Sequence, residues 1–231
     1  MNLKTFSKKM YYRTRDTFSP RETINFSNSS VTFPSYFVEN FSWTIETEEP
    51  VIEDLLNSVR DGDSFYDIGA NAGLYSIAVG RAADVEITAF EPYTPNIDRL
   101  GRYLRWNDVE AQIYPYALSD GEEDTANLAG EMVHIETKIG DELVQADGIP
   151  HPDVIKIDVE GAELSVLHGL EEVIKDCRLI YCEVHPGLLE KRNIEPEQVT
   201  EFLRSLGFTT EELVTRERTN IQPIVRARRS E

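Results

Sequence analysis

A glycine loop preceded by an acid stands near residue 70 and has the residue types of a ligand site. Residues 64–80 read SFYDIGANAGLYSIAVG, an apolar run, an acid and two glycines before a helical pattern. Such loops usually hold phosphates, but the dinucleotide spacing fails because Asn71 stands where its second glycine is needed. Asp67 would repel a pyrophosphate and attract a cation, while Gly69 and Gly73 let the backbone approach a ligand.

A second acid follows the next apolar run. Glu91 lies about 20 residues beyond Gly69, the offset at which an acid binds ribose hydroxyls in nucleotide folds. A ligand with a ribose, a positive head and no required phosphate is S-adenosylmethionine, whose sulfonium and ammonium groups outweigh its carboxylate. Asp67 and Glu91 together therefore predict this cofactor. The alternative role of Asp67 is to cap a helix or turn.

Two later apolar runs end in ionisable side chains that parallel strands would bring to the same sheet edge. They are Asp158, Glu160 and Glu163 after the first run, and Glu183 and His185 after the second. His185 titrates near neutrality and is the first candidate for a general base, followed by Asp158. Glu160 and Glu183 are predicted to orient the reacting groups. For Glu163 the alternative is stabilisation of a helix N-terminus.

A divalent metal ion is a second interpretation of part of this set. Asp158, Glu183 and His185 are all residue types that bind such ions, and a bound ion would acidify an acceptor hydroxyl. The favoured interpretation places no metal here.

Strand and helix patterns alternate from Ser64 onward. Strands are predicted at 64–68, 86–91, 111–116, 154–158 and 178–183, with a late hairpin at 208–214 and 220–226. Helices are predicted at 72–82, 94–106, 162–175 and 195–206. This order indicates an α/β fold with a mostly parallel sheet and helices on both faces. Residues 1–48 are predicted to form an N-terminal cap with short strands across 20–47, and residues 49–231 the main domain, entered by a helix that opens at Glu49-Pro50.

The chain is strongly acidic, and its charge is unevenly distributed. Its 231 residues carry a net charge of −19 with more arginine than lysine, which indicates a halophilic source and argues against nucleic acid as a partner. No membrane span or secretory signal is predicted, so a cytoplasmic location is expected. The basic ends are expected to be solvated tails or to touch an anionic substrate or membrane surface. The basic residues of the first fifteen positions are Lys4, Lys8, Lys9, Arg13 and Arg15.

Five motifs in order resemble those of FkbM-type methyltransferases. They are DIGANAGLYS (67–76), FEPYTPNIDRL (90–100), YALSD (116–120), IKIDVEGAELSVLHGL (155–170) and CEVH (182–185). The segment TKIGDEL (137–143) departs from the family pattern. The resemblance implies a class I, Rossmann-like methyltransferase fold with a seven-stranded sheet, S-adenosylmethionine as the donor, and methyl transfer to oxygen.

The resemblance also implies roles for particular residues. The glycine loop would hold the methionine part of the cofactor, Glu91 the ribose, and the backbone at 117–118 the adenine. The implied cofactor-binding set is Asp67, Gly69, Ala70, Asn71, Gly73, Tyr75, Glu91, Pro92, Asn96, Ala117, Leu118 and Asp158.

The resemblance favours a sugar hydroxyl as the acceptor. Together with the halophilic source and the basic ends, it favours a hexose or hexuronic acid of a lipid-linked glycan used in protein glycosylation. A small secondary metabolite or a glycolipid is the alternative acceptor. Two other classes of protein compete with this interpretation. An NAD-linked oxidoreductase is opposed by the glycine spacing and Asp67, and a non-catalytic cofactor-binding subunit would not need the motifs around Asp158 and His185. The sequence does not predict an oligomeric state.

Overall fold

A seven-stranded sheet forms the centre of the protein. The computed structural model describes residues 3–121, 125–128, 131–214 and 222–229. The strands are β1 (Arg21–Asn25), β2 (Ser30–Pro34), β3 (Ser64–Ile68), β4 (Glu86–Phe90), β5 (Gln112–Tyr114), β6 (Ala117–Ser119), β7 (Thr125–Leu128), β8 (Glu131–His134), β9 (Thr137–Ile139), β10 (Val154–Ile157), β11 (Leu179–Glu183), β12 (Phe208–Val214) and β13 (Ile224–Arg229). The central sheet has the order β12-β13-β11-β10-β3-β4-β5.

Eight α-helices flank the strands in the described part of the chain. They are α1 (Leu3–Phe18), α2 (Ser35–Leu56), α3 (Leu74–Ala82), α4 (Thr94–Trp106), α5 (Gly140–Asp147), α6 (Glu163–Gly169), α7 (Pro186–Leu189) and α8 (Glu197–Ser205). Short 3₁₀ turns follow α6 and α7 at Val173–Lys175 and Glu190–Arg192. None of the described helices is both long and apolar enough to cross a membrane.

Strand alternation divides the core between the two faces of the sheet. Phe65 and Tyr181 join residues of α2, α3 and α4 in one buried cluster. Tyr66 and Ile180, the neighbours of those residues along β3 and β11, join α5, α6 and α8 in a second cluster. Because successive side chains point to opposite faces, both faces are buried, and the predicted α/β fold with helices on both faces is confirmed.

The chain reverses its direction of travel across the sheet between β3 and β10. From β3 it moves outward to β4 and β5, and then returns to place β10 and β11 on the other side. These five strands are parallel, so the loops after β3 and β10 face each other at a switch point, where ligands of such folds bind. Asp67 and Asp158 leave the sheet at this point.

The late hairpin confirms the prediction of an antiparallel edge. β12 covers the predicted 208–214 and pairs with β13, which pairs with β11. The second strand lies later than predicted, at Ile224–Arg229, and residues 220–221 of the prediction lie outside the described residues.

The prediction of short strands near the N-terminus is correct for one hairpin and wrong for the residues that follow it. β1 and β2 pair at 21–34, but the predicted strands of residues 35–47 are helical, because Phe37, Phe41 and Ile45 recur every four residues on one side of α2. Pro50 lies inside this helix and does not open it. Pro50 costs one helical hydrogen bond there. The division of the chain at residue 48 stays a prediction, and α2 runs through it.

Residues 3–18 form a helix, whereas one expectation for this end of the chain was a solvated tail. α1 spans Leu3–Phe18, and Asp16, near its end, is buried. The Asp16 carboxylate accepts hydrogen bonds from the hydroxyls of Tyr36 and Tyr103, at 2.5 and 2.8 Å, and pairs with Arg102 at 2.5 Å. These contacts hold the end of α1 against α2 and α4.

Candidate active site

The glycine loop packs closely against the end of β10. The backbone N–H of Gly69 donates to the carbonyl of Phe90 at 2.9 Å, and Gly69 has a φ of +85°. A Cβ at Gly69 would lie 1.8 Å from the carbonyl oxygen of Asp158, so only glycine fits here. Asn71 and Glu160 take positive φ values of 49° and 51° in the two facing loops. These left-handed residues lie at the switch point, where strained backbone often serves a ligand.

Asp67 is buried at the start of this loop and already has a local partner. Its Oδ2 accepts hydrogen bonds from the backbone N–H and the hydroxyl of Ser76, at 3.0 and 2.5 Å. Burial raises the pKa of Asp67 to about 6, and the bonds from Ser76 oppose that shift only in part. These contacts match the alternative role of Asp67, in which it caps a helix or turn. Its role toward a cofactor stays a prediction.

Glu91 ties the glycine loop to the beginning of α4. Its two carboxylate oxygens accept from the backbone N–H groups of Asn71 and Tyr93, each at 2.8 Å. Asn96 also hydrogen-bonds Glu91, and burial raises the pKa of Glu91 to about 7. Glu91 therefore stands beside the loop, as a ribose-binding acid must.

A buried lysine that the sequence reasoning missed stands at the centre of the acids. Lys156, in β10, is 1% exposed. Its ammonium lies 3.7 Å from Glu183 Oε2 and 4.7 Å from the centre of the Tyr75 ring. Burial lowers the pKa of Lys156, but the charges of Asp158 and other nearby carboxylates outweigh burial and raise it. A lysine in an otherwise apolar strand was the available signal, since a buried charge needs a partner.

Glu48 is the second residue that the sequence reasoning missed. It lies on α2, is 6% exposed, and accepts a hydrogen bond from the hydroxyl of Tyr75 at 2.6 Å. Burial raises the pKa of Glu48, while Lys156 lowers it. No periodicity or motif marks Glu48 as a site residue, because its place depends on how α2 crosses the sheet.

His185 is held by Glu163 at the carboxyl end of β11. Its Nδ1 lies 2.5 Å from Glu163 Oε1, which also accepts from the backbone N–H of Gly161. Its other nitrogen, Nε2, lies 3.8 Å from Asp158 Oδ1 and 3.7 Å from Glu183 Oε1. Burial lowers the pKa of His185, but the bond to Glu163 and the charge of Asp158 outweigh burial and raise it. Glu163, which is fully buried, thus does more than stabilise a helix N-terminus.

Three ligand atoms of the alternative metal set come together here. One atom each from Asp158, Glu183 and His185 lie within 4.8 Å of one another. The ammonium of Lys156 lies beside Glu183 and neutralises part of the negative charge that a divalent ion would need there. Burial and the charge of Asp158 raise the pKa of Glu183 to about 7.

The structure brings most of the predicted site residues to one edge of the sheet. Asp67 and Glu183 lie in the last two residues of β3 and β11, and Glu91, Asp158 and His185 follow the carboxyl ends of β4, β10 and β11. Glu160 is exposed as a whole. Partial desolvation of its carboxyl and the charge of Asp158 still raise its pKa. The remaining members of the predicted cofactor set lie in the loop, at the start of α3 and α4, or in β6, and are Ala70, Gly73, Tyr75, Pro92, Asn96, Ala117 and Leu118. The Leu118 side chain points into the core, which leaves only its backbone for a ligand.

The acidic cluster fits a cationic ligand. We define it as Glu48, Asp67, Asp158 and Glu183, four carboxylates that all act on Lys156. The pKa of Glu48, Asp67 and Glu183 is raised, mainly by burial, with Asp158 raising each further. A positive ligand at this place would relieve that repulsion. The sulfonium and ammonium groups of S-adenosylmethionine match this requirement.

The fold of this chain is that of class I methyltransferases. Solved structures of similar fold include the precorrin-6y C5,15-methyltransferase of Geobacter metallireducens, with a TM-score of 0.54 and 17% identity over 79% of this chain and 88% of that one. Another is the methyltransferase FkbM of Methylobacillus flagellatus, with a TM-score of 0.54 and 19% identity over 83% of this chain and 53% of that one. At these identities the likeness concerns the fold, which is generally that of enzymes using S-adenosylmethionine.

The family follows from the sequence comparison. Residues 67–210 match the Methyltransferase FkbM domain, and the chain belongs to the FkbM methyltransferase family. It is 30% identical to the hexuronic acid methyltransferase AglP of Haloferax volcanii over 71% of each chain. It is also 27% identical to the AMB antimetabolite synthetase AmbE of Pseudomonas aeruginosa over 62% of this chain, which spans only 9% of that protein.

Proposed function

We propose that this methyltransferase transfers a methyl group from S-adenosylmethionine to a sugar hydroxyl, in a hexose or hexuronic acid of a lipid-linked glycan. The observation that carries the proposal is His185, held at Nδ1 by Glu163 and facing the switch point with Nε2. The similarity to a hexuronic acid methyltransferase supports the acceptor class.

Methyl transfer to an alcohol requires alignment and removal of a proton. When bound, S-adenosylmethionine supplies an electrophilic methyl group. The acidic cluster would hold its positive head and Glu91 its ribose, which would fix the cofactor relative to the acceptor. His185 Nε2 would take the proton of the acceptor hydroxyl as that oxygen is methylated. Glu163 stabilises the resulting imidazolium, and general-base help of this kind contributes typically ~10²–10⁴-fold.

Asp158 is the second candidate for the base, and its position suits an orienting role. Its side chain is 40% exposed at the switch point, while that of His185 is 10% exposed. Asp158 would therefore reach both the acceptor and the ammonium group of the cofactor. Glu160 and Glu183 would orient the same groups.

The test is a methyl-transfer assay with labelled S-adenosylmethionine and a set of acceptors. The set contains hexuronic acid glycosides, hexoses, a lipid-linked glycan and non-sugar alcohols. We expect transfer to the sugars, and a large loss of turnover in His185→Ala with the affinity for S-adenosylhomocysteine preserved. Transfer to the non-sugar alcohols alone would exclude the sugar acceptor, and no transfer with tight cofactor binding would favour a binding subunit.

The same assay distinguishes a general base from a metal-assisted reaction. Because the Lys156 ammonium already neutralises part of the charge of Glu183, we expect activity to survive dialysis against EDTA. Loss of activity with EDTA, restored by Mg²⁺ or Mn²⁺, would place an ion on Asp158, Glu183 and His185 instead.

A lipid-linked acceptor would place the enzyme at the cytoplasmic face of a membrane. Glycans of this kind are assembled on lipid phosphates, so the catalytic edge of the sheet would have to face that surface. The proposal therefore predicts a peripheral contact between the chain and the membrane.

A further inference from the structure

The first helix carries positive charge on an otherwise acidic molecule. α1 has the sequence LKTFSKKMYYRTRDTF, in which five bases accompany one acid. That acid, Asp16, is buried and paired with Arg102, so its charge is balanced within the protein. The whole chain has a net charge of −19. α1 is therefore a local region of opposite sign.

Two contacts fix the direction in which α1 lies on α4. The guanidinium of Arg99 lies 4.6 Å from the centre of the Tyr12 ring, and Arg102 pairs with Asp16. The later residue of α1, Asp16, thus contacts the later residue of α4, Arg102. The two helices therefore run parallel. Since α1 begins nine residues before Tyr12 and α4 begins five before Arg99, α1 extends about 6 Å beyond the start of α4 at 1.5 Å per residue.

The start of α4 belongs to the catalytic edge, because Asn96 bonds Glu91 there. The turns of α1 that carry Lys4, Lys8 and Lys9 therefore lie alongside or beyond this edge. The part of α1 that is rich in lysine thus lies near the edge of the sheet that carries the candidate active site.

Apolar side chains on α1 are exposed together with the charges. Phe18 is 82% exposed, and Met10 and Tyr11 are about half exposed, at 51% and 53%. Tyr11 and Phe18 are seven residues apart and share one side of the helix. Basic residues beside exposed aromatic ones are the composition of helices that lie in a lipid interface.

Two arginines of β13 have partners within the protein. Arg226 pairs with Asp54 and Glu211, at 2.6 and 2.5 Å. Arg229 donates to the carbonyl oxygens of Ile174 and Cys177. These two side chains are therefore not available to an external anion.

We propose that α1 docks on an anionic lipid surface and so turns the candidate active site toward it. This inference rests on the proposed function for its purpose, since a lipid-linked acceptor would be presented at such a surface. It rests on α1 alone for its physical basis, which is charge complementarity with anionic head groups and burial of Tyr11 and Phe18.

The test is flotation of the full chain with vesicles, at the lowest KCl concentration at which circular dichroism shows it folded. Vesicles of phosphatidylglycerol and phosphatidylcholine are compared with vesicles of phosphatidylcholine alone. We expect binding to the anionic vesicles, weakened on the order of 30-fold in Lys4→Gln/Lys8→Gln at about 1 kcal/mol per charge, since the helical period places both positions on the side of Tyr11 and Phe18. The control, Lys175→Gln/Lys191→Gln, removes the same charge elsewhere and should bind normally. Phe18→Ser should also bind more weakly.

The outcomes separate this inference from the proposed function. Equal binding to neutral vesicles, no binding to either kind, or equal weakening in the control would each overturn the docking role. A dimer that Lys4→Gln/Lys8→Gln dissociates, without vesicle binding, would assign α1 to self-association and overturn it too. Vesicle binding without methyl transfer to any sugar would instead count against the proposed acceptor and leave the docking intact.

Discussion

The buried carboxylate of Glu163 determines which nitrogen of His185 is available for chemistry. Glu163 Oε1 lies 2.5 Å from Nδ1, so a neutral imidazole carries its proton on Nδ1 and leaves Nε2 free as an acceptor. The lone pair of Nε2 then faces Asp158 at the switch point. Glu163 is thus a positioning residue, and its charge also raises the pKa of His185.

Replacing Glu163 by Gln should change the pH profile as well as the rate. Gln can still accept from Nδ1 but carries no charge, so the pKa of His185 falls. We expect turnover to drop within the ~10²–10⁴-fold that a general base supplies, and its acid limb to move to lower pH. S-adenosylhomocysteine should bind normally.

The control for this variant is Glu171→Gln, which changes an exposed carboxylate after α6. A pH profile of Glu163→Gln that falls in height without shifting would mean that Glu163 only supports the local fold.

Asp67 should make the ligand-free protein less stable above neutral pH. Burial raises its pKa to about 6, so between pH 4 and 6 the unfolded chain releases a proton that the folded chain retains. The free energy of unfolding therefore falls as pH rises through this range, and the cost is complete above it. We expect Asp67→Asn to raise stability at pH 7.5 by up to about 3 kcal/mol, and to have little effect at pH 4.

Urea unfolding at both pH values, in constant KCl, measures this difference. Ser76→Ala, which removes one hydrogen bond to Asp67, is the matched variant and should destabilise at pH 7.5. If Asp67→Asn is less stable than the parent at pH 7.5, the attraction of Lys156 outweighs burial at this site.

At the scale of single elements, α1 depends on one buried carboxylate. Asp16→Asn would keep one acceptor for the Tyr36 and Tyr103 hydroxyls and lose the ion pair with Arg102. We expect a loss of about 1–3 kcal/mol and faster cleavage by trypsin after Arg13 and Arg15. Glu110→Gln, an exposed substitution, is the control, and unchanged cleavage in Asp16→Asn would show that α1 is held by other contacts.

Elements built from local patterns could be predicted from the sequence, and elements set by distant contacts could not. β3 and α4 have the predicted bounds, 64–68 and 94–106, because an apolar run and a regular helical period define them. The helix over 35–47 was missed because its polar residues alternate as in a strand. Lys156 and Glu48 were missed because their partners lie on other elements.

At the scale of the whole molecule, the acidic surface should make stability depend on salt. A net charge of −19 produces self-repulsion that is screened over about 3 Å at 1 M salt. We expect the melting temperature to rise between 0.2 and 2 M KCl. Sucrose at matched osmolality is the control, since it does not screen charge. A melting temperature that is insensitive to KCl would contradict a halophilic adaptation.

The passage of α2 through residue 48 restricts how this protein could be recombined with its relatives. Glu48 lies on α2, which begins within the predicted cap, yet its carboxylate belongs to the centre of the candidate active site. A chimera joined at residue 48 would import a foreign side chain into a charge balance built around Lys156. Crossovers placed in the turn after α2, between residues 57 and 63, would transfer the cap together with its carboxylate.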